Sequence, residues 1–89
     1  MIRILLAEDS GILRDTLVSV LDLEHDLNVV ADVATGTEIL PAARLHRPDV
    51  AVVDIDLPGI DGLTAAGQLA VELPTCRVCL LYTSDAADE

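Results

Sequence analysis

The chain opens on a nearly unbroken apolar run, Ile2 to Ala7, as expected of a strand covered on both faces. The period then lengthens. Ser10 offers a helix N-cap, and Leu13, Leu17, Val20 and Leu21 form a helical stripe that predicts an amphipathic helix ending near Glu24. A second strand is predicted over Asn28 to Ala34. Thr35-Gly36-Thr37-Glu38 has the capping-box spacing that opens a helix to about His46. Pro41 lacks a donor and crowds the preceding turn, so it predicts a kink or a start nearer Leu40. Val50 to Val53 is a third apolar run. A turn holding Pro58, Gly59 and Gly62 leads into a third helix with Leu63, Ala66, Ala70 and Leu73 on its predicted inner face. Pro74 ends it, and Arg77 to Leu81 reads as a fourth strand.

Strands alternating with helices predict an α/β domain with a parallel sheet between helical layers, because parallel neighbours need crossovers and those crossovers are right-handed. Ligands in such sheets bind outside the carboxyl ends of the strands, where strand order reverses. Chemistry should therefore sit just after strands.

Composition narrows the candidates. The 89 residues suffice for one small domain, and Tyr82 is the only aromatic, so the core must be aliphatic. Sixteen acids against five Arg and no Lys give a net charge of −11, which argues against nucleic-acid contact by this segment and favours a cation or a basic partner. The first apolar run reaches Glu8 too soon for a signal peptide or a membrane span, so a cytoplasmic protein without membrane contact is expected. Cys76 and Cys79 have C-x-x-C spacing inside a strand-like run without further ligands, and read as buried, inert thiols.

Glu8 and Asp9 follow the first strand, and Asp54 and Asp56 follow the third. Any one of these acids alone reads as a solvated turn or cap residue. If the two strands are neighbours, the carboxylates converge, and like charges brought together oppose ionisation unless a cation joins them. Hard oxygen ligands suit Mg²⁺. Asp9 and Asp54 are the candidate direct ligands, with Glu8 acting through water and Asp56 through its backbone carbonyl. A carboxylate so placed can accept a phosphoryl group, and Asp54 is the best candidate for attack. The Asp56 and Asp61 side chains read as turn or surface groups.

Ala7-Glu8-Asp9-Ser10 and the run Val53-Asp54-Ile55-Asp56-Leu57-Pro58-Gly59-Ile60-Asp61-Gly62 resemble the two signature segments of response-regulator receiver domains. The resemblance extends from Met1 to about Leu81 and is strongest to receivers that precede LuxR-type helix-turn-helix domains. It implies a flavodoxin-like three-layer sandwich with strand order 2-1-3-4-5. It also implies phosphoryl transfer from a sensor histidine kinase to Asp54, Mg²⁺ at Glu8, Asp9 and Asp54, and transcriptional output through a DNA-binding domain of a longer parent, with a homodimer among the parent's assemblies.

The sequence departs from this pattern in two places. The family's Thr or Ser after strand four falls on Tyr82, and Thr83 reaches that position only with a one-residue slip. The family's Lys has no counterpart. Residues 1–81 therefore read as a partial receiver with its fifth strand missing, and 82–89 as a non-native or disordered tail resembling translated adapter sequence. An open, apolar fourth strand predicts marginal stability and self-association. Two other functions compete. Asp54-Ile55-Asp56 resembles the D-x-D pair of haloacid-dehalogenase-like phosphatases, although it follows the third strand and not the first, and a phosphorylation-independent interaction module would need no chemistry.

Overall fold

The computed structural model describes residues 1–82. Its elements are β1 (Ile2–Ala7), α1 (Gly11–Asp22), β2 (Leu27–Val33), a 3-10 turn (Gly36–Glu38), α2 (Ile39–His46), β3 (Val50–Asp54), α3 (Gly62–Glu72) and β4 (Arg77–Leu81). Every pairing is parallel, and the sheet order is β2-β1-β3-β4, as the resemblance implies. The chain steps from β1 outward to β2, then crosses back to the other side of β1, so order reverses between β1 and β3.

The two sheet faces are built differently. Leu5, Ala7, Ala51 and Val53 point to one face and form a continuous core with Ile39 and Ala43 of α2 and Ala65, Leu69 and Leu73 of or beside α3. Fully burying a leucine such as Leu5 or Leu69 is worth about 1.5–3 kcal/mol. The alternate residues Ile4 and Leu6 are buried on the opposite face. There α1 packs against β1 and β2, yet none of its residues is fully buried. Leu13, Leu17 and Leu21 of the expected stripe are half-buried, whereas Val20 turns to solvent.

Three local expectations need correction. Thr35 does not cap a helix with its side chain. Its hydroxyl donates to Glu38 Oε1 at 3.0 Å, and the same oxygen accepts the Ala34 N–H at 3.3 Å. The box thus closes a 3-10 turn, and α2 starts at Ile39, which leaves Pro41 in the first turn where a missing donor costs nothing. In α3 the buried positions are Gly62, Ala65 and Leu69, and Leu63 is exposed. The Asp61 cap sets this phase, because Gly62 must lie against the end of β3, where any Cβ would overlap the Asp54 carbonyl oxygen. Lastly, Cys76 is buried but Cys79 is exposed on β4.

Candidate functional site

β1 and β3 are direct neighbours with Ala7 opposite Val53, so Glu8, Asp9 and Asp54 leave the sheet side by side at its carboxyl edge. One carboxylate oxygen from each lies within 4.8 Å of those of the other two. Glu8 and Asp54 are each only 2% exposed, while Asp9 faces solvent. The burial of Glu8 has a backbone cause. Its N–H donates to Val33 O at 3.0 Å, extending the β1–β2 ladder by one residue and drawing Glu8 into the sheet edge.

The Glu8 carboxylate is only half satisfied. Oε2 accepts the Ser10 N–H at 3.1 Å, but Oε1 is buried with no hydrogen-bond donor among the described residues. Burial, opposed by the Ser10 hydrogen bond and reinforced by the adjacent Asp54 carboxylate, pushes the Glu8 pKa up to about 7. An orphaned buried oxygen beside two further carboxylates is a donor set that fits a small, hard divalent cation.

Asp54 is oriented from the opposite side. Its Oδ1 accepts the Asp56 N–H at 3.2 Å, which fixes the carboxylate relative to the turn that follows. That turn is pinned at several points: Ile55 N–H to Leu81 O at 3.1 Å, Gly62 N–H to Ile55 O at 2.9 Å, and Gly36 N–H to Pro58 O at 3.0 Å. Gly36 meets the loop so closely that a Cβ would overlap the Ile60 carbonyl.

The remaining predicted residues separate cleanly. The Asp56 side chain is exposed and outside the carboxylate group, as a turn or surface group is. Asp61 is the N-cap of α3, accepting the Thr64 N–H at 2.8 Å, and this bond holds its carboxyl below the ordinary value. Tyr82 is exposed just past β4. Thr83 lies outside the described residues.

Sequence reasoning assigned no role to Arg14. Its Nη1 donates to the Glu8 carbonyl at 2.7 Å, and its Nε lies 3.3 Å from Asp32 Oδ2 on β2. The signal available in the sequence was a cation in the opening turn of a helix, where the macrodipole disfavours it.

Comparison with known proteins agrees with this fold. Residues 4–89 match the response regulator receiver domain family. The transcriptional regulatory protein DesR of Bacillus subtilis is 39% identical over 83 residues, which cover 93% of this chain and 41% of DesR. The protein-glutamate methylesterase/protein-glutamine glutaminase of Nitrosospira multiformis is 35% identical over 88 residues, 99% of this chain and 25% of that protein. The chain thus spans between a quarter and about two-fifths of these relatives. Among solved structures, the signal receiver domain of the response regulator NarL from Mycobacterium tuberculosis superimposes with a TM-score of 0.88 at 31% identity, covering 94% of this chain and 68% of that one. The response regulator domain of Thermotoga maritima CheB gives 0.85 at 30% identity, covering 90% and 59%.

Proposed function

This chain belongs to the response regulator receiver domain family of two-component signalling, and from that premise we propose that Asp54 is its phosphoryl acceptor. The observation that carries the reading is the convergence of Glu8, Asp9 and Asp54 at the reversal of strand order, with Glu8 and Asp54 buried. Glu8, Asp9, Asp54 and the carbonyl of Asp56 would hold Mg²⁺, whose charge offsets that on the transferring phosphoryl oxygens when it is bound.

The protein's own part is positioning. A carboxylate oxygen of Asp54 attacks the phosphorus of a phosphohistidine on a sensor histidine kinase; the O–P bond forms as the P–N bond breaks, and the electron pair leaves on the histidine nitrogen. The Asp56 N–H keeps the Asp54 carboxylate aligned, and the Gly36 and Gly62 contacts keep the loop that carries Asp56 against the strand. We read the chain as promoting its own phosphorylation and dephosphorylation only, and not as an enzyme acting on other substrates.

In the cell we read it as cytoplasmic, in keeping with a kinase donor, and no helix among the described residues is long and apolar enough to cross a membrane. Its output is transcriptional control through a DNA-binding segment outside these residues, since a charge of −11 suits no nucleic-acid contact here. DesR supports this reading by its name. The phosphatase reading is disfavoured by the exposed Asp56 side chain, which stands outside the carboxylate group where a general acid would be needed.

The test is incubation with Mg²⁺ and acetyl phosphate, followed by intact-mass measurement and peptide mapping. One base-labile phosphoryl adduct on Asp54, lost in Asp54→Asn, is expected. An adduct mapped to Asp56, or undiminished labelling of Asp54→Asn, overturns the assignment.

A further inference from the structure

We propose that Arg14 is a positioning residue for the metal pocket, acting through the Glu8–Asp9 peptide, an inference that rests on the reading of the acidic trio as a cation site. Asp9 is the exposed member of that trio, and the backbone that carries it fixes the point from which its carboxylate reaches the pocket. On the Glu8 side, three bonds hold that backbone: Glu8 N–H to Val33 O, Ser10 N–H to Glu8 Oε2, and Arg14 Nη1 to Glu8 O. Only the last is made by a side chain from outside the loop. The Glu8 carbonyl belongs to the peptide that leads into Asp9, so holding it fixes the plane from which the Asp9 Cα departs.

The guanidinium is itself anchored. Its Nε faces Asp32 Oδ2 at 3.3 Å, and the Arg14 side chain is 22% exposed against 46% for Asp32. Arginine suits this position because a planar fork can address a carbonyl and a carboxylate together, whereas an ammonium acts as a point charge. Asp32 lies opposite Leu6 in the β1–β2 ladder, so Arg14 ties the ends of two strands to the start of α1.

Electrostatics gives this idea a sign that separates it from charge effects. Removing a positive charge beside a cation site should tighten Mg²⁺ binding through space. Removing a residue that holds a ligand in place should weaken it, as loss of outer supports does at metal sites, by roughly ten- to a hundredfold. The two effects oppose each other, and positioning predicts net weakening.

The experiment is Mg²⁺ titration of the 89-residue chain by calorimetry and by the Asp9 and Ser10 amide signals, for the unaltered protein, Arg14→Gln, Arg14→Lys, Asp32→Asn and Asp9→Asn. Thr16→Gly, which removes the hydroxyl bonded to Ile12 O on the same helix, serves as a control for general weakening of α1. We expect at least tenfold weaker binding in Arg14→Gln, a smaller loss in Arg14→Lys and Asp32→Asn, and unchanged affinity in Thr16→Gly. Arg14→Gln binding as tightly as the unaltered protein, or more tightly, overturns the positioning role, as does an equal loss in Thr16→Gly. If the unaltered protein binds no Mg²⁺, or Asp9→Asn binds it undiminished, the cation-site reading fails and takes this inference with it. Loss in the Arg14, Asp32 and Asp9 variants with affinity unchanged in Thr16→Gly supports both.

Discussion

Gly62 lies directly against the end of β3, its N–H bonded to Ile55 O at 2.9 Å and its Cα so near Asp54 that a Cβ would run into the Asp54 carbonyl oxygen. The first residue of α3 and the candidate phosphoacceptor therefore share one backbone contact. Gly62→Ala should destabilise the fold by about 1–3 kcal/mol, because the obstruction is backbone and not a side chain that can move aside. Chemical denaturation measures the loss, and a shift of the Asp54 amide signal should accompany it.

The burial phase of α3 makes a second prediction. Leu69 is fully buried and Leu63 is 58% exposed. Leu69→Ala should cost about 2–5 kcal/mol, and Leu63→Ala no more than about 0.5 kcal/mol. Equal losses in urea unfolding would restore the face read from the sequence.

At the acidic site, Asp9→Asn should weaken Mg²⁺ binding far more than Asp56→Asn. The Asp9 carboxylate belongs to the converging group, and the Asp56 side chain is turned out of it. Calorimetric titration of both variants checks this, and equal losses would reject the ligand assignment.

Glu8 predicts a pH dependence. Burial, with Asp54 beside it, raises its pKa from 4.5 in the unfolded chain to about 7 in the fold, so between these values the folded state holds a proton that the unfolded state releases. Stability of the metal-free protein should therefore fall as pH rises from about 4.5 to about 7. Mg²⁺ affinity should rise over the same interval as the proton ceases to compete. Glu8→Gln, compared with the unaltered protein in urea melts across pH, should remove this share of the slope.

β4 pairs with β3 on one side, and among the described residues it has no partner on the other, while Cys79 and Leu80 are exposed. An apolar strand edge of this kind is a template for further pairing. The chain should self-associate at micromolar concentration in light scattering under reducing conditions, and Leu80→Lys should shift it toward monomer. A monomer at all concentrations would show that this edge is covered.

Order and type of elements were legible along the chain because the strands are short, mainly aliphatic runs and the helices carry a lengthened apolar period, with side-chain caps at Ser10 and Asp61. Ile2–Ala7 and Arg77–Leu81 match the reading residue for residue, and the acidic residues after the first and third strands were singled out by position, their convergence depending on β1 and β3 being neighbours. What a linear pattern could not supply was the environment on the far side of each residue. The inner face of α3 depends on Gly62 meeting Asp54, a contact between residues eight apart that no periodicity encodes. The capping-box reading at Thr35 failed because Glu38 reached back to Ala34 and closed a tighter turn. Most of all, the orphaned oxygen and raised pKa of Glu8 arise because the β1–β2 ladder runs one residue further than the apolar run, pulling a carboxylate out of water beside Asp54. Residue types specify which groups can ionise, but desolvation and the nearness of other charges are properties of folded space, and only the packed sheet edge supplies them.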